Sequence, residues 1–79
     1  MQELNKDLSI YLKMLRVKHS LSQEELANKL GISRQCYTSW ESNPIKLDLN
    51  QLIKIGESMG EDILIFFNEY VAKSNVKEN

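Results

Sequence analysis

The 79-residue sequence holds one cysteine, one histidine and one proline. A single cysteine excludes a disulfide within the chain and a zinc site built from cysteines. A single histidine, His19, leaves little for a metal centre or a catalytic pair. No apolar run approaches the ~18–20 residues of a membrane span, and the opening MQELNKDLSI lacks the apolar centre of a secretory signal. Phosphate-cradling glycine loops, paired catalytic carboxylates and a nucleophile beside a base are all missing. An enzyme is therefore not expected, nor are a cofactor, a metal, a small-molecule substrate or a membrane partner. Net charge is −1, which rules out a strongly basic nucleic-acid-binding tail. A soluble cytoplasmic protein is the expectation.

What is present suits one small globular domain. The length fits a single domain, and 42% hydrophobic with 27% charged residues is ordinary globular composition. The charge is unevenly spread. From Leu8 to Lys46 six cations face three anions, a balance of +3. Residues 61–79 hold two cations against four anions, a balance of −2. The middle of the chain thus tolerates an anionic partner, although a normal solvated surface has the same look.

Hydrophobic spacing predicts five helices and no strand. Leu8, Leu12 and Leu15 recur at i, i+4 and i+7 over about residues 6–18, with Tyr11 beside them. Leu21-Ser22-Gln23-Glu24-Glu25-Leu26 reads as a helix start. Ser22 is its N-cap, Glu25 closes a capping box, and Leu21 and Leu26 form a staple. Gly31 suits a left-handed helix exit. Ser33 caps the next helix, which puts Tyr37, Trp40 and Glu41 on one side and Gln35, Thr38, Ser39 and Ser42 on the other. Asn43-Pro44 ends it. Asp48 to Gln51 forms a further capping box, and Leu52, Ile55 and Met59 carry that helix's apolar face. Gly56 inside it costs about 1 kcal/mol relative to alanine, which points to close packing there. Gly60 ends this helix and Asp62 caps the last one. The five-residue run Ile63 to Phe67 would also suit a strand, but no partner strand exists in the chain.

Ser22 to Trp40 is thus a helix, a tight glycine-containing turn and a second short helix, with small Ala27 where the two would cross. This is what a helix-turn-helix needs to lay its second helix in the DNA major groove. The run SQEELANKLGISRQCYTSWE resembles the Xre-type, lambda-repressor-like helix-turn-helix family. The resemblance extends over about residues 8–67, from Leu15-Arg16 through NQLIKIGESMGEDI. It implies an all-α, compact five-helix lambda-repressor-like DNA-binding domain over residues 6–73, between an N-terminal arm at 1–5 and a frayed tail at 74–79.

The resemblance also implies roles. Arg34 and Gln35 open the recognition helix as base readers, with Thr38 and Ser39 one turn on. The chemistry agrees, because arginine forks onto guanine O6/N7 and glutamine onto adenine N6/N7. Gln23 at the start of the leading helix contacts phosphate and buttresses the reading helix. Ser42, Asn43 and Lys46 flank it as further phosphate contacts. Arg16 and Glu41 pair to lock the first helix to the end of the third. A partly buried lock is favoured over an exposed pair.

Other residues have plainer readings. Cys36 suggests a thiol switch, but a small side chain filling a small site is favoured. His19 is expected to cap the first helix's C-terminus. Tyr37 and Trp40 are placed in the core rather than as stacking platforms. Leu64, Ile65 and Phe66 exceed what a small domain needs for its own core and are assigned to a dimer interface. The expected function is that of a sequence-specific double-stranded DNA-binding transcriptional regulator, a repressor acting as a homodimer on an inverted repeat. It would be of phage, mobile-element or antitoxin type, and a protein partner such as a toxin fits the size. The alternative is a protein-interaction module that keeps the fold without binding DNA.

Overall fold

The computed structural model describes the backbone of residues 2–78 and the side chains of residues 2–73. Five helices follow in order: α1 Gln2–Lys18, α2 Gln23–Leu30, α3 Arg34–Ser42, α4 Leu49–Ser58 and α5 Leu64–Glu78. A short 3₁₀ turn, Pro44–Lys46, joins α3 to α4. No strand occurs among the described residues.

The local signals act where the sequence places them. Ser22 accepts from the Glu25 amide while Glu25 accepts from the Ser22 amide, and Asp48 and Gln51 repeat the arrangement. Each box satisfies two amides that a helix start leaves without partners. Ser33 accepts from the Cys36 amide at 3.1 Å, and Asp62 accepts from the Leu64 amide at 3.0 Å. The core is one cluster: Leu8, Leu12 and Leu15 of α1, Leu26 and Ala27 of α2, Tyr37 of α3, Leu52 and Ile55 of α4, then Met59 and Ile63. A Cβ added at Gly56 would lie 2.8 Å from the Glu61 carbonyl oxygen. The helix-weakening glycine is there to let the chain after α4 fold back against it.

Two boundaries differ from the sequence reading. The N-terminal arm expected at 1–5 is helical from Gln2. Nothing in QELNKD breaks a helix, Glu3 favours the N-terminal dipole, and Asn5 pins this turn by accepting from the Ile45 amide at 2.9 Å. The tail expected at 74–79 continues α5 to Glu78, since no glycine or proline stops it; Asn79 lies outside the described residues.

Phe66, assigned to a dimer interface, is half-buried against the core. Its ring centroid lies 4.9 Å from that of Tyr11, 5.4 Å from Phe67 and 5.8 Å from Tyr70. Position 66 lies three residues after Ile63 and so shares its inward side of the helix. Leu64 and Ile65 are exposed as expected.

Candidate nucleic-acid interface

The candidate site is built on α2, its turn and α3. Gly31 takes φ 72°. Its amide donates to Asn28 and the Ile32 amide to Ala27, so the chain reverses in three residues and α3 starts at Arg34. Tyr37 and Glu41 are fully buried and Trp40 packs against the core. That inward side fixes the rotation of α3. Gln35 and Ser39 therefore share the exposed face, and Arg34, seven residues before Glu41 and so on its side of the helix, is exposed at the N-terminal tip. Asn43 closes the helix by donating from its amide to Ser39, and Ser42, Asn43 and Lys46 gather at this C-terminal end.

Thr38 and Gln23 are half-buried and engage each other rather than solvent alone. The Thr38 hydroxyl donates to Gln23 Oε1 at 3.1 Å. Gln23 Nε2 donates to Glu41 Oε1 at 3.0 Å. The amide thereby braces α2 against α3, and one Nε2 hydrogen remains for an outside acceptor. The Ser42 hydroxyl turns back to donate to the Thr38 carbonyl at 2.9 Å. Arg34 and Gln23 line one shallow depression, together with Arg16, Ser22 and Glu24.

Beneath this surface lies a closed polar network centred on Glu41. Arg16 donates from Nε to Oε2 at 2.9 Å and from Nη2 to Oε1 at 3.2 Å. The Tyr37 hydroxyl donates to Oε2 at 2.7 Å. With Gln23, four donors from three helices saturate one carboxylate that has no exposed surface. Arg16 Nη1 also donates to the Leu21 carbonyl at 2.9 Å, and the Ser9 hydroxyl to the Glu41 carbonyl at 2.6 Å. Among the described residues no buried side-chain polar atom lacks a partner.

Burial acts to raise the Glu41 carboxyl, yet the hydrogen bonds from Arg16, Tyr37 and Gln23 outweigh it and hold the group below its ordinary value. Burial, and then the Glu41 carboxylate, push the Tyr37 phenol upward. The hydrogen bond to Glu41 raises Arg16 further. The one acid of α3 is thus ionised, buried and neutralised.

Arg16 and Glu41 form the expected lock. The fourfold saturation was not read in the sequence, although Tyr37 and Glu41 stand at i, i+4 and signal a contact. Cys36 is half-buried with a free thiol. His19 does something other than cap α1: its Nε2 lies 2.6 Å from Glu61 Oε2, and Lys18 Nζ lies 3.1 Å from the same oxygen. These contacts tie the end of α1 to the α4–α5 connection, while the Leu15, Arg16 and Val17 carbonyls accept from the amides of His19, Leu21 and Ser20. Among the described residues no helix is long and apolar enough to cross a membrane, and no cluster of three metal-ligating side chains occurs.

Comparison with known proteins adds to this geometry. The family model described as Helix-turn-helix matches residues 12–66. An uncharacterized HTH-type transcriptional regulator of Methanocaldococcus jannaschii is 41% identical over 58 residues, covering 70% of this chain and 88% of that protein. An uncharacterized HTH-type transcriptional regulator of Bacillus subtilis is 35% identical over 71 residues, covering 87% of this chain and 93% of that protein. No solved structure matches the chain.

Proposed function

The chain belongs to the helix-turn-helix family of DNA-binding transcriptional regulators, and from that footing we propose that it is a repressor that binds an inverted repeat in duplex DNA as a homodimer. The observation that carries this reading is the face of α3. Gln35 and Ser39 are exposed there, Arg34 is exposed at its N-terminal tip, and the helix's only acid is buried in a neutralising network. No exposed carboxylate stands on α3 itself to repel phosphate; Glu24 of α2 lies beside Arg34 in the shallow depression.

α3 enters the major groove by its N-terminal end. Arg34 forks onto a guanine and Gln35 onto an adenine, while Ser39 and the free lone pairs of Thr38 reach the same groove. The spare Gln23 hydrogen and the N-terminus of α2 meet a backbone phosphate. Lys46, with the Asn43 side chain, meets the phosphates beyond the other end of α3, while the one Ser42 hydroxyl hydrogen is held by the Thr38 carbonyl. Exposed Ile65 on α5 supplies apolar surface for the homodimer, which spaces two recognition helices one DNA turn, ~34 Å, apart. Occupancy of the site blocks polymerase.

The test begins by selecting bound sequences from a random duplex pool. Arg34→Ala and Gln35→Ala should each weaken binding to the selected site by ~1–3 kcal/mol and relax preference at one base position. Unchanged affinity in both variants would remove the assignment. Absence of any salt-dependent duplex binding would favour an interaction module with this fold.

A further inference from the structure

α1 carries an apolar row that its own core does not use. Ile10, Met14 and Val17 stand at i, i+4 and i+7, on the side of the helix away from Leu8, Leu12 and Leu15. They are 45%, 63% and 67% exposed. Ile10 and Met14 also form one wall of a groove whose opposite wall includes Phe66, Glu69 and Ala72 of α5. Ile65, 52% exposed, stands four and seven residues before Glu69 and Ala72 and so shares that wall's side of α5. Leu64 does not. It lines a separate depression with Ile53 of α4.

We propose that a second copy of this chain docks on the α1–α5 face through Ile10, Met14, Val17 and Ile65, in a two-fold contact that leaves Leu64 outside. The proposal rests on the homodimer put forward above and names its surface. Two arguments identify the occupant as another copy. The first is area. The four residues, each about half to two-thirds exposed, offer apolar surface comparable to the ~300–600 Å² of a typical monomer's largest patch, which is often functional. A standard interface buries ~800 Å² per partner, a little over half of it apolar, so this patch supplies nearly the whole apolar share.

The second argument is charge. The N-terminal half of α1 holds Glu3 and Asp7 against Lys6. Its C-terminal half holds Lys13, with Arg16 already taken by Glu41 and Lys18 by Glu61. A two-fold axis near the middle of the row runs the two α1 helices antiparallel. The acidic end of each then faces the basic end of the other, and the helix dipoles oppose. An isologous contact needs such self-complementarity, because each half of the patch meets the other half of its copy.

Sedimentation equilibrium of the full chain without DNA tests the surface, using wild type, Met14→Glu, Ile65→Glu and Leu64→Glu, each checked by thermal melting. Met14 and Ile65 are exposed, so both variants are expected to fold; Ile10→Lys replaces either one that does not. Met14→Glu and Ile65→Glu should each weaken self-association about tenfold or more, the effect of losing one well-packed apolar contact, while Leu64→Glu leaves it intact. A dimer disrupted by Leu64→Glu but not by Met14→Glu overturns this surface and leaves the homodimer standing. A chain that is monomeric at high concentration and binds its selected duplex as a monomer overturns both.

Discussion

Glu41 shows how one residue serves function without touching a ligand. Its carboxylate draws Arg16 from α1, Gln23 from α2 and Tyr37 from α3 into one network. Glu41→Ala should cost ~3–5 kcal/mol, because it strands a largely buried arginine. Glu24→Ala, an exposed acid, should stay within ~0.5 kcal/mol. An Arg16→Ala/Glu41→Ala cycle by urea unfolding measures the coupling, and a value below ~0.5 kcal/mol would deny the lock. The pH dependence has two limbs. Glu41 ionises below its unfolded value of 4.5 when folded, so its contribution is present above that value and is lost as pH falls through the folded one. Glu41→Gln should flatten the part of the acid limb that Glu25 and Glu61, also lowered by their hydrogen bonds, do not supply. The Tyr37 phenol is raised above 10.0. The unfolded phenol ionises first, so stability should fall as pH climbs past that value, and Tyr37→Phe should remove the part of the fall that Tyr11, also raised by burial, does not supply. The Arg16–Glu41 pair was legible from family resemblance. The convergence of Gln23 and Ser9 on the same residue was not, since contacts 18 and 32 residues apart leave no local pattern.

At the scale of the helix, the ends were more legible than the lengths. Three helices close in the same way. The amides of Ser20 and Leu21 donate to Val17 and Arg16, those of Gly31 and Ile32 to Asn28 and Ala27, and those of Gly60 and Glu61 to Glu57 and Gly56. Each closure needs a left-handed residue, and φ is 57°, 72° and 69° at Ser20, Gly31 and Gly60. Two of the three are glycines and could be read directly as helix ends. The first end is placed at about residue 18 by the break in apolar spacing, not by its left-handed residue, because serine rarely adopts that conformation. Ser20→Gly should therefore raise stability by ~0.5–1 kcal/mol, less a little for the added freedom of the unfolded chain. A higher urea midpoint at unchanged slope would show it; a lower midpoint would mean that the Ser20 side chain holds the α1–α2 turn in some other way. The extra turns at both ends of the chain were illegible for the opposite reason. Residues 2–5 and 74–78 lack breakers but also lack an apolar stripe, and helix-compatible sequence without a buried face gives no periodicity to read.

Over the whole molecule the charge is close to balanced, and DNA binding must draw on a few placed cations rather than on bulk attraction. Of the residues assigned to phosphate, Lys46 alone is cationic, and it is exposed on the turn after α3. Arg34 is assigned to a base, and Arg16 is spent on Glu41. Affinity falls with salt in proportion to the phosphates neutralised, by ~0.9 in log–log slope for each. Few contacts predict a shallow dependence, and each protomer on the duplex adds its own Lys46. Lys46→Ala should therefore reduce the slope by ~2 if two protomers bind and by ~1 if one does. It should weaken selected and unrelated duplexes alike, whereas Arg34→Ala should weaken the selected duplex far more than an unrelated one. The measurement is binding by anisotropy across a salt series, on both duplexes, for wild type and the two variants. A Lys46→Ala slope equal to wild type would move the phosphate contact elsewhere. The slope difference counts protomers on DNA without reference to any interface residue, so it bears on the homodimer separately from the α1–α5 surface. A difference near ~2 with Met14→Glu still dimeric in solution would keep the two-protomer complex and send the search for its contact to the other flank of α5, where Leu64 and Val71 are exposed seven residues apart.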